Sequence, residues 1–262
     1  MDANTLFDVT GKTVVVTGGS RGIGRMIAQG FVEAGATVVI SSRKASPCVD
    51  AAVELSALGP GICLAHPADL STPEGIESLS ARMGEVAPGV DVLVNNAGAA
   101  WGAPVDEFPG SAFDKIFDIN VKGVFALTQA LLPGLRKAAT EEDPARVINI
   151  GSVDGLVISR TDNFSYGASK AAVHMLTRKL AATLAPDQIT VNAIAPGPFP
   201  SKMTAHALDD PEERSQVLGR VPLGRVGSVE DVAGTAIFLS SRAGAYLTGT
   251  VIPVDGGVSG AR

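Results

Sequence analysis

Ser152, Tyr166 and Lys170 have side-chain types and spacings that suit acid–base chemistry. Tyr166 and Lys170 are four residues apart, so in a helix they lie on one face, one turn apart. A free phenol has a pKa near ~10, and an ammonium beside it would lower that pKa toward the range of general acid–base catalysis. With the Ser152 hydroxyl opposite, the three groups could hold and protonate a carbonyl oxygen.

The surrounding segments place these residues at one edge of a predicted sheet. The apolar run 145–151, directly before Ser152, is typical of a strand, and the segment from Tyr166 to about Ala185 is typical of a helix. In an open parallel sheet, ligands bind at the carboxyl ends of the strands. A Tyr-x-x-x-Lys pair alone is more typical of a helix surface, so its meaning depends on the rest of the chain.

Strand and helix patterns alternate along the chain. The predicted strands, rich in Val and Ile, cover 12–17, 37–41, 62–66, 90–94, 145–151, 189–193 and 250–254. The predicted helices cover 23–34, 45–58, a segment that begins near Pro73, 111–137, 166–185 and 228–239. This alternation, without a linker-like stretch, predicts one doubly wound α/β (Rossmann) domain over 1–262, with a seven-stranded parallel sheet and helices on both faces.

One long segment, 199–227, interrupts the alternation between the sixth strand and the last helix. It is rich in Pro and Gly, and we predict helical structure around 203–208. Long insertions of this kind are often lids over a site, although a plain surface excursion is the alternative. Pro198 and Pro200 stiffen its beginning, which narrows the motion expected of a lid.

A glycine turn follows the first strand and opens the first helix, with the pattern Thr-Gly-x-x-x-Gly-x-Gly over 17–24. Glycines let backbone amides approach a phosphate, and the helix N-terminus adds partial positive charge. Glycine turns are common, and the generic Gly-x-Gly-x-x-Gly pattern is not met. The position of this turn nevertheless predicts nucleotide binding, with contacts from Gly18, Ser20, Arg21, Gly22, Ile23 and Gly24.

The end of the second strand indicates which dinucleotide binds. An acidic residue there would bind the ribose 2′-hydroxyl of NAD, whereas this chain has Ser42 and Arg43. A guanidinium pairs with a 2′-phosphate, which favours NADP(H) over NAD(H), although two solvated cations at a helix start are also common. After the third strand, Asp69 could accept from an adenine amino group or cap the next helix, and Leu70 would lie beside it.

Bulk properties exclude several classes of protein. A net charge of −6 and a pI of about 5.1 argue against nucleic acid or an anionic membrane as the main partner. No apolar run is long enough to span a membrane, and the N-terminus has no signal pattern, so we predict a soluble cytoplasmic protein. Cys48 and Cys63 favour a reduced protein, although they permit one disulfide. The three histidines show no metal-ligand spacing.

Taken together, these motifs resemble the short-chain dehydrogenase/reductase family over about 11–257. The resemblance rests on the glycine turn, Asn95-Asn96-Ala97-Gly98, Asn120, Ser152, Tyr166-x-x-x-Lys170, Pro196-Gly197 and Val254-Asp255-Gly256-Gly257. It implies that Tyr166 is the acid in carbonyl reduction and the base in alcohol oxidation. It also implies that Lys170 tunes Tyr166 and binds the nicotinamide ribose, that Ser152 steadies the substrate oxygen, and that Asn120 holds a water for a proton relay.

The same resemblance implies the remaining cofactor contacts. Asn96, Ala97 and Gly98 would line the ribose on the adenosine side, and the nicotinamide would be surrounded by Pro196, Gly197, Phe199 and Ser201. Relatives are mostly tetramers that pair the 111–137 and 166–185 helices. The chain departs from the family in the loop between Ser152 and Tyr166, which carries Asp154, Arg160 and Asp162 and is about one residue longer than usual.

The resemblance is greatest to 3-oxoacyl-(acyl-carrier-protein) reductases, including the rhamnolipid-pathway type, so we expect an NADP(H)-dependent carbonyl reductase. An acidic carrier protein needs a basic dock, for which Arg136 and Lys137 are candidates, but the 166–185 helix is followed by Asp187. The apolar lid residues Phe199, Met203 and Leu208 also suit a bulky alcohol, a steroid or a terpenoid as substrate. A third hypothesis is a non-catalytic NADP(H)-binding sensor, which would not need the Asn-Ser-Tyr-Lys set.

Overall fold

The centre of the molecule is a parallel sheet built from short runs of β-branched residues. The structure is a computed structural model that describes residues 2–159, 161–202 and 204–260. The strands are β1 (Thr13–Thr17), β2 (Thr37–Ser41), β3 (Ile62–Ala65), β4 (Val92–Asn95), β5 (Ala145–Ile150), β6 (Ile189–Pro196) and β7 (Val251–Val254). They are ordered β3-β2-β1-β4-β5-β6-β7, and all neighbours are parallel.

The strand order changes direction between β1 and β4, and that change defines the functional edge of the sheet. From β1 the chain proceeds outward to β3, then returns to place β4 on the other side of β1. The pairing of Val16 with Val94 and of Ile150 with Ile194 puts the ends of β1, β4, β5 and β6 along one edge. A switch point of this kind opens a crevice at the carboxyl ends of the strands.

Helices cover both faces of the sheet. They are α1 (Ala3–Leu6), α2 (Gly22–Glu33), α3 (Ala45–Ser56), α4 (Pro73–Val86), α5 (Gly110–Phe117), α6 (Gly123–Ala138), α7 (Phe164–Leu184), α8 (Ala205–Asp209), α9 (Pro211–Leu218) and α10 (Val229–Ser240). Helices α2, α3 and α10 share one apolar cluster, which includes Val14 and Val16, while α4, α6 and α7 share another, which includes Val15. Because side chains alternate along a strand, one strand can supply both cores, as β1 does. The predicted doubly wound α/β fold is confirmed.

Several predicted boundaries differ from the structure. The helix predicted over 111–137 is α5 and α6, joined by a π-helical turn at Asp118–Lys122. Strand β6 continues to Pro196, three residues beyond the predicted end. Helix α9 was not predicted, although Asp210 caps it by accepting from the amides of Glu212 and Glu213.

Other expectations concern the cysteines, the membrane and the lid. Cys48 and Cys63 are buried and free, so the permitted disulfide is not formed. In the part of the chain that the structure describes, no helix has the length and apolar character needed to cross a membrane. Of the residues expected to line the lid and the loop before Tyr166, Met203 and Arg160 lie outside the described residues.

Candidate active site

Two positions in the turn that joins β1 to α2 favour glycine, Gly24 for lack of space and Gly22 for its backbone conformation. A Cβ atom on Gly24 would lie 2.5 Å from the carbonyl oxygen of Gly18 and 2.3 Å from Asn96 Nδ2, so only glycine fits there. Gly22 has a φ of +56°, in the left-handed region that favours glycine. A Cβ atom on Gly22 would lie 3.3 Å from Ser201 Cβ, which shows that the segment after β6 reaches the turn.

The first turn of α2 has the features of an anion site. Arg21, the residue before the helix, has extended backbone and makes no side-chain cap, and no acidic residue lies in the first helical turn. The amides of the first turn are therefore left without intrahelical acceptors at the positive end of the helix dipole. Arg21 is exposed, and Ser20 and Ile23 are half-buried, so this turn fits a dinucleotide pyrophosphate.

The hydroxyl of Thr17 attaches the loop after β4 to the end of β1. It accepts hydrogen bonds from the backbone amides of Asn96 and Ala97, each at 2.9 Å. The Asn96 side chain then donates to the carbonyl oxygen of Thr17 at 2.8 Å, so its carboxamide faces the glycine turn. Ala97 and Gly98 continue from this anchor, and a Cβ on Gly98 would lie 3.0 Å from Asn120 Oδ1.

The end of β2 and the segment after β3 form the predicted adenosine side. Arg43 is exposed and Ser42 is half-buried. Asp69 accepts from the hydroxyl of Ser71 at 2.7 Å, and this bond, aided by the nearby Arg43, holds the pKa of Asp69 below its usual range. Asp69 therefore shapes the turn before α4, while Leu70 is buried in the core and offers a ligand only its backbone.

Tyr166 and Lys170 lie in the first two turns of α7, beside the end of β5. The Lys170 side chain is buried, and its ammonium donates to the carbonyl oxygen of Ile150 at 2.7 Å. Burial lowers the pKa of Lys170 to about 8. Its Nζ atom is 5.5 Å from the centroid of the Tyr166 ring, so the predicted pairing of the two side chains is present.

The expected lowering of the phenol pKa is not found in this structure. Burial is the largest effect and raises the pKa of Tyr166 to about 12; the Ser152 hydroxyl lowers it and the Asp154 carboxylate raises it. The sequence-based prediction considered only the ammonium of Lys170. That ammonium is turned toward Ile150 and is itself destabilised by burial, so it does not outweigh the desolvation of a phenolate.

Asn120 lies in the π-helical turn and braces the start of α7. Its Nδ2 donates to the carbonyl oxygen of Ala99 at 3.0 Å and to the hydroxyl of Ser169 at 2.9 Å, while its Oδ1 accepts from the amide of Ala99 at 2.9 Å. Ser169 in turn donates to the carbonyl oxygen of Tyr166 at 2.7 Å. One carboxamide therefore joins the loop after β4 to the helix that carries Tyr166, and π-helical turns are frequent at such sites.

Comparison with known proteins identifies the family of this site. The chain matches the family model described as Enoyl-(Acyl carrier protein) reductase over residues 9–259. The chain belongs to the short-chain dehydrogenase/reductase family. It is 50% identical over 251 residues to the rhamnolipids biosynthesis 3-oxoacyl-(acyl-carrier-protein) reductase of Pseudomonas aeruginosa. The alignment covers 96% of this chain and 97% of that protein.

One further relative of this short-chain dehydrogenase/reductase and one solved structure extend the comparison. The 3β-hydroxysteroid dehydrogenase 1 of Eggerthella lenta is 37% identical over 256 residues, covering 96% of this chain and 95% of that protein. The solved Pseudomonas aeruginosa RhlG/NADP active-site complex has a TM-score of 0.94 at 49% identity, covering 97% of this chain and 99% of that chain. The likeness therefore includes both the sequence and the backbone over almost the whole chain.

The expected nicotinamide side of this family member is formed by the end of β6 and the residues after it. The amide of Gly197 donates to the carbonyl oxygen of Val254 at 3.0 Å, which ties Pro196 and Gly197 to β7. The Phe199 ring is 2% exposed and packs in the core, so as a lid residue it does not present its ring to a substrate. The Ser201 hydroxyl lies 3.1 Å from the Thr204 hydroxyl and closes a tight turn.

A buried polar network beneath the site was not predicted from the sequence. The Asn95 carboxamide donates to Asn149 Oδ1 at 2.9 Å and to the Thr128 hydroxyl at 3.1 Å, and Asn149 donates to the Thr177 hydroxyl at 2.9 Å. These bonds join β4, β5, α6 and α7, which together position Ser152 and Tyr166. The signal in the sequence was a polar residue inside an otherwise apolar strand, as at Asn149.

Of the histidines whose side chains the structure describes, His66 lies near the surface and His174 packs beneath the site. His66 shares a hydrogen bond of 2.9 Å with the Ser78 hydroxyl near the surface. His174 is 3% exposed and lies against Gly151 and Gly155, and burial lowers its pKa, so it is neutral. Within residues 2–159, 161–202 and 204–260, no group of three or more His, Cys, Asp or Glu side chains is arranged to hold a metal ion.

Proposed function

We propose that the protein reduces the keto group of a 3-oxoacyl thioester, or of a similar hydrophobic ketone, to a secondary alcohol with NADPH. The observation that carries this proposal is the joint position of Ser152, Tyr166 and Lys170 at the carboxyl edge of the sheet, beside a glycine turn that fits a dinucleotide. The 50% identity to a 3-oxoacyl-(acyl-carrier-protein) reductase supports the substrate class.

The residues suit the protonation of a carbonyl oxygen. When bound, NADPH supplies a hydride to the carbonyl carbon. A phenol with a pKa of about 12 is protonated at neutral pH, so Tyr166 is ready to donate its proton to the developing alkoxide. The Ser152 hydroxyl accepts from the Asp154 amide at 3.1 Å, which leaves its own proton for the substrate oxygen. Lys170, charged below a pKa of about 8, adds positive potential beside the alkoxide.

The proposed cofactor contacts follow the chain from the glycine turn to the segment after β6. Arg43 would pair with the 2′-phosphate, since the end of β2 carries a cation where an acid would select NAD(H). An NADP complex among the structural relatives supports this choice. The contacts proposed are Gly18, Ser20, Arg21, Gly22, Ile23, Gly24, Ser42, Arg43, Asp69, Leu70, Asn96, Ala97, Gly98, Tyr166, Lys170, Pro196, Gly197, Phe199 and Ser201.

An apolar rim beside the catalytic residues supports a hydrophobic substrate. Ile158 is 92% exposed, and Leu156 and Phe164 are 40% and 43% exposed. These three side chains line a cavity of about 400 Å³ formed by the loop between Ser152 and Tyr166. Large exposed apolar side chains grouped at a site commonly bind an apolar ligand.

The proposed carrier-protein dock is weaker than the sequence suggested. Arg136 makes an ion pair with Asp187 at 2.8 Å, so part of its charge is already neutralised. Lys137 remains exposed beside it. An acidic carrier would therefore meet less positive potential here than two free cations provide. A second candidate function is therefore the oxidation or reduction of a free bulky substrate such as a steroid. The 37% identity to a steroid dehydrogenase supports this candidate.

A substrate panel tests these functions. NADPH consumption is measured with 3-oxoacyl thioesters on carrier protein, on coenzyme A and on a short thiol, and with keto-steroids and keto-sugars. We expect turnover of the thioesters, with a loss of at least ~10²-fold in Tyr166→Phe. Preference for keto-steroids would favour the second candidate. Equal rates in wild type and variant would remove Tyr166 from the mechanism and favour a non-catalytic NADP(H)-binding sensor.

The assembly, the cellular location and the role of Asn120 stay proposals. A homotetramer that pairs α5–α6 and α7 with their counterparts would cover Phe113, Phe125 and Met175, which are 40%, 45% and 61% exposed. Light scattering of the purified protein tests the tetramer, and fractionation of the source cells tests the predicted cytoplasmic location. The proton relay proposed for Asn120 is tested by solvent isotope effects in Asn120→Ala.

A further inference from the structure

The turn after β5 contains an acidic residue that contacts the catalytic machinery from two sides. Residues Val153–Gly155 form a single 3₁₀ turn directly after Ser152, with Asp154 at its centre. The backbone amide of Asp154 donates to the Ser152 hydroxyl at 3.1 Å. The Asp154 carboxylate accepts from Asn163 Nδ2 at 2.7 Å. Asp154 therefore holds Ser152 through its backbone and reaches across the loop through its side chain.

The residue at the far end of this contact begins the helix that carries Tyr166. Asn163 directly precedes α7, and its side chain makes no cap on that helix. Its carbonyl oxygen accepts from the amide of Gly167 at 3.0 Å, so it belongs to the first turn of α7. The Asn163 side chain therefore does not cap α7 but donates to the Asp154 carboxylate. This hydrogen bond is a bridge between the Ser152 turn and the helix that carries Tyr166.

Asp154 also acts on the phenol through its charge. It raises the pKa of Tyr166, in addition to the larger effect of burial and against the effect of the Ser152 hydroxyl. The Nζ atom of Lys170, on α7 itself, lies 5.5 Å from the centroid of the ring, and His174 beyond it is neutral. Helix α5 and the π-helical turn also pack against α7. Their charged side chains are exposed or partly exposed, so water screens them: Asp114, Lys115, Asp118 and Lys122.

We propose that Asp154 is a positioning residue that holds the Ser152 hydroxyl and the Tyr166 phenol in register and, by its charge, disfavours the phenolate that alcohol oxidation needs. The inference rests on the proposed function in one respect, the role of Tyr166 as the acid. The bridge from Asp154 to Asn163 crosses the loop between Ser152 and Tyr166 and joins its two ends.

Two substitutions at Asp154 separate the charge from the bridge. Asp154→Asn keeps an oxygen that accepts from Asn163 but removes the negative charge. We expect ketone reduction at neutral pH to change by less than about threefold, while the pH profile of alcohol oxidation, which needs the phenolate, moves to lower pH. Asp154→Ala removes the charge and the bridge together. We expect kcat to fall about tenfold in ketone reduction and in alcohol oxidation, with little change in KM for NADPH.

Asn163→Ala supplies an independent arm, because it breaks the bridge and leaves the charge of Asp154 in place. We expect kcat of Asn163→Ala to fall as much as that of Asp154→Ala, while the pH profile of its alcohol oxidation stays at the wild-type position. Asp162→Asn is the matched control, since it removes an exposed acid from the same loop, and both parameters should stay at wild-type values. Fluorescence titration with NADPH and far-ultraviolet circular dichroism confirm that each variant is folded and binds the cofactor.

Superimposable oxidation profiles of wild type and Asp154→Asn would overturn the electrostatic part of the proposal. A wild-type kcat in Asn163→Ala would overturn the positioning part, even if Asp154→Ala failed to fold. These failures differ from a failure of the proposed function, which would show as full activity in Tyr166→Phe. An inactive Tyr166→Phe with unaffected Asp154 and Asn163 variants would refute this inference alone.

Discussion

We expect the buried ammonium of Lys170 to lower the stability of the folded protein. Its pKa falls from 10.5 to about 8 on burial, which at 1.36 kcal/mol per pKa unit corresponds to ~3 kcal/mol against folding while the group is charged. The group is charged in both states below pH 8, so the cost is then complete. Between pH 8 and 10.5 the folded protein releases the proton first, so stability rises with pH, and above 10.5 the cost is gone.

Lys170→Met removes this titration and leaves a side chain of similar length in the same place. We expect the unfolding free energy of wild type, minus that of the variant, to increase by ~3 kcal/mol from pH 8 to pH 10.5. Urea unfolding followed by circular dichroism at several pH values and one protein concentration measures the difference. Reductase activity should be lost in the variant at every pH.

Lys179→Met is the matched control for this experiment. Lys179 lies on the same helix but is exposed, so the difference between wild type and this variant should stay constant with pH. A constant difference for Lys170→Met as well would refute the reasoning, because it would mean that the Lys170 ammonium is solvated in the folded protein. A difference that falls as pH rises would show that the folded state stabilises the charge instead.

Three further predictions test the cofactor site and the last helix. Gly24→Ala would place a Cβ 2.5 Å from the Gly18 carbonyl oxygen, so we expect a loss of ~1–3 kcal/mol in urea unfolding and weaker NADPH binding by fluorescence titration. Arg43→Ala should raise the Kd of NADPH about tenfold or more and leave that of NADH unchanged. Asp231→Ala removes the capping box of α10 and the ion pair with Arg225. We expect it to cost ~1 kcal/mol of unfolding free energy at pH 7, and we expect this loss to shrink as pH falls below 3.8, measured by unfolding at several pH values.

The strands and most helices could be predicted because each depends on a local pattern. The residues Val38, Val39 and Ile40 are apolar and β-branched, polar residues flank them, and β2 has the predicted bounds, Thr37–Ser41. The start of α4 follows from Thr72 and Pro73, and the Thr72 hydroxyl accepts from the amide of Gly75 as an N-cap does. In both cases the residues that decide the structure are neighbours in sequence.

The π-helical turn at Asp118–Lys122 could not be predicted in this way. The apolar spacing along α5 and α6 is typical of one continuous helix, and the change of hydrogen-bonding pattern does not alter which residue types are apolar. What distinguishes the turn is the set of bonds from Asn120 to Ala99 and Ser169, which are distant in sequence. The role of Asn149 in the network below the site was missed for the same reason.

The catalytic set shows where pairwise reasoning from a sequence ends. Spacing of four residues placed Lys170 beside Tyr166, and the 5.5 Å separation agrees with that prediction. Spacing does not tell how deeply the pair is buried or where the ammonium is directed, and both matter more for the pKa of the phenol than proximity does. Since burial disfavours the phenolate and the ammonium donates to Ile150, the folded chain holds a neutral phenol. A neutral phenol is the acid that ketone reduction requires, and a phenol whose pKa is 10 or higher is protonated at neutral pH, so Tyr166 can serve as that acid without the expected lowering of its pKa.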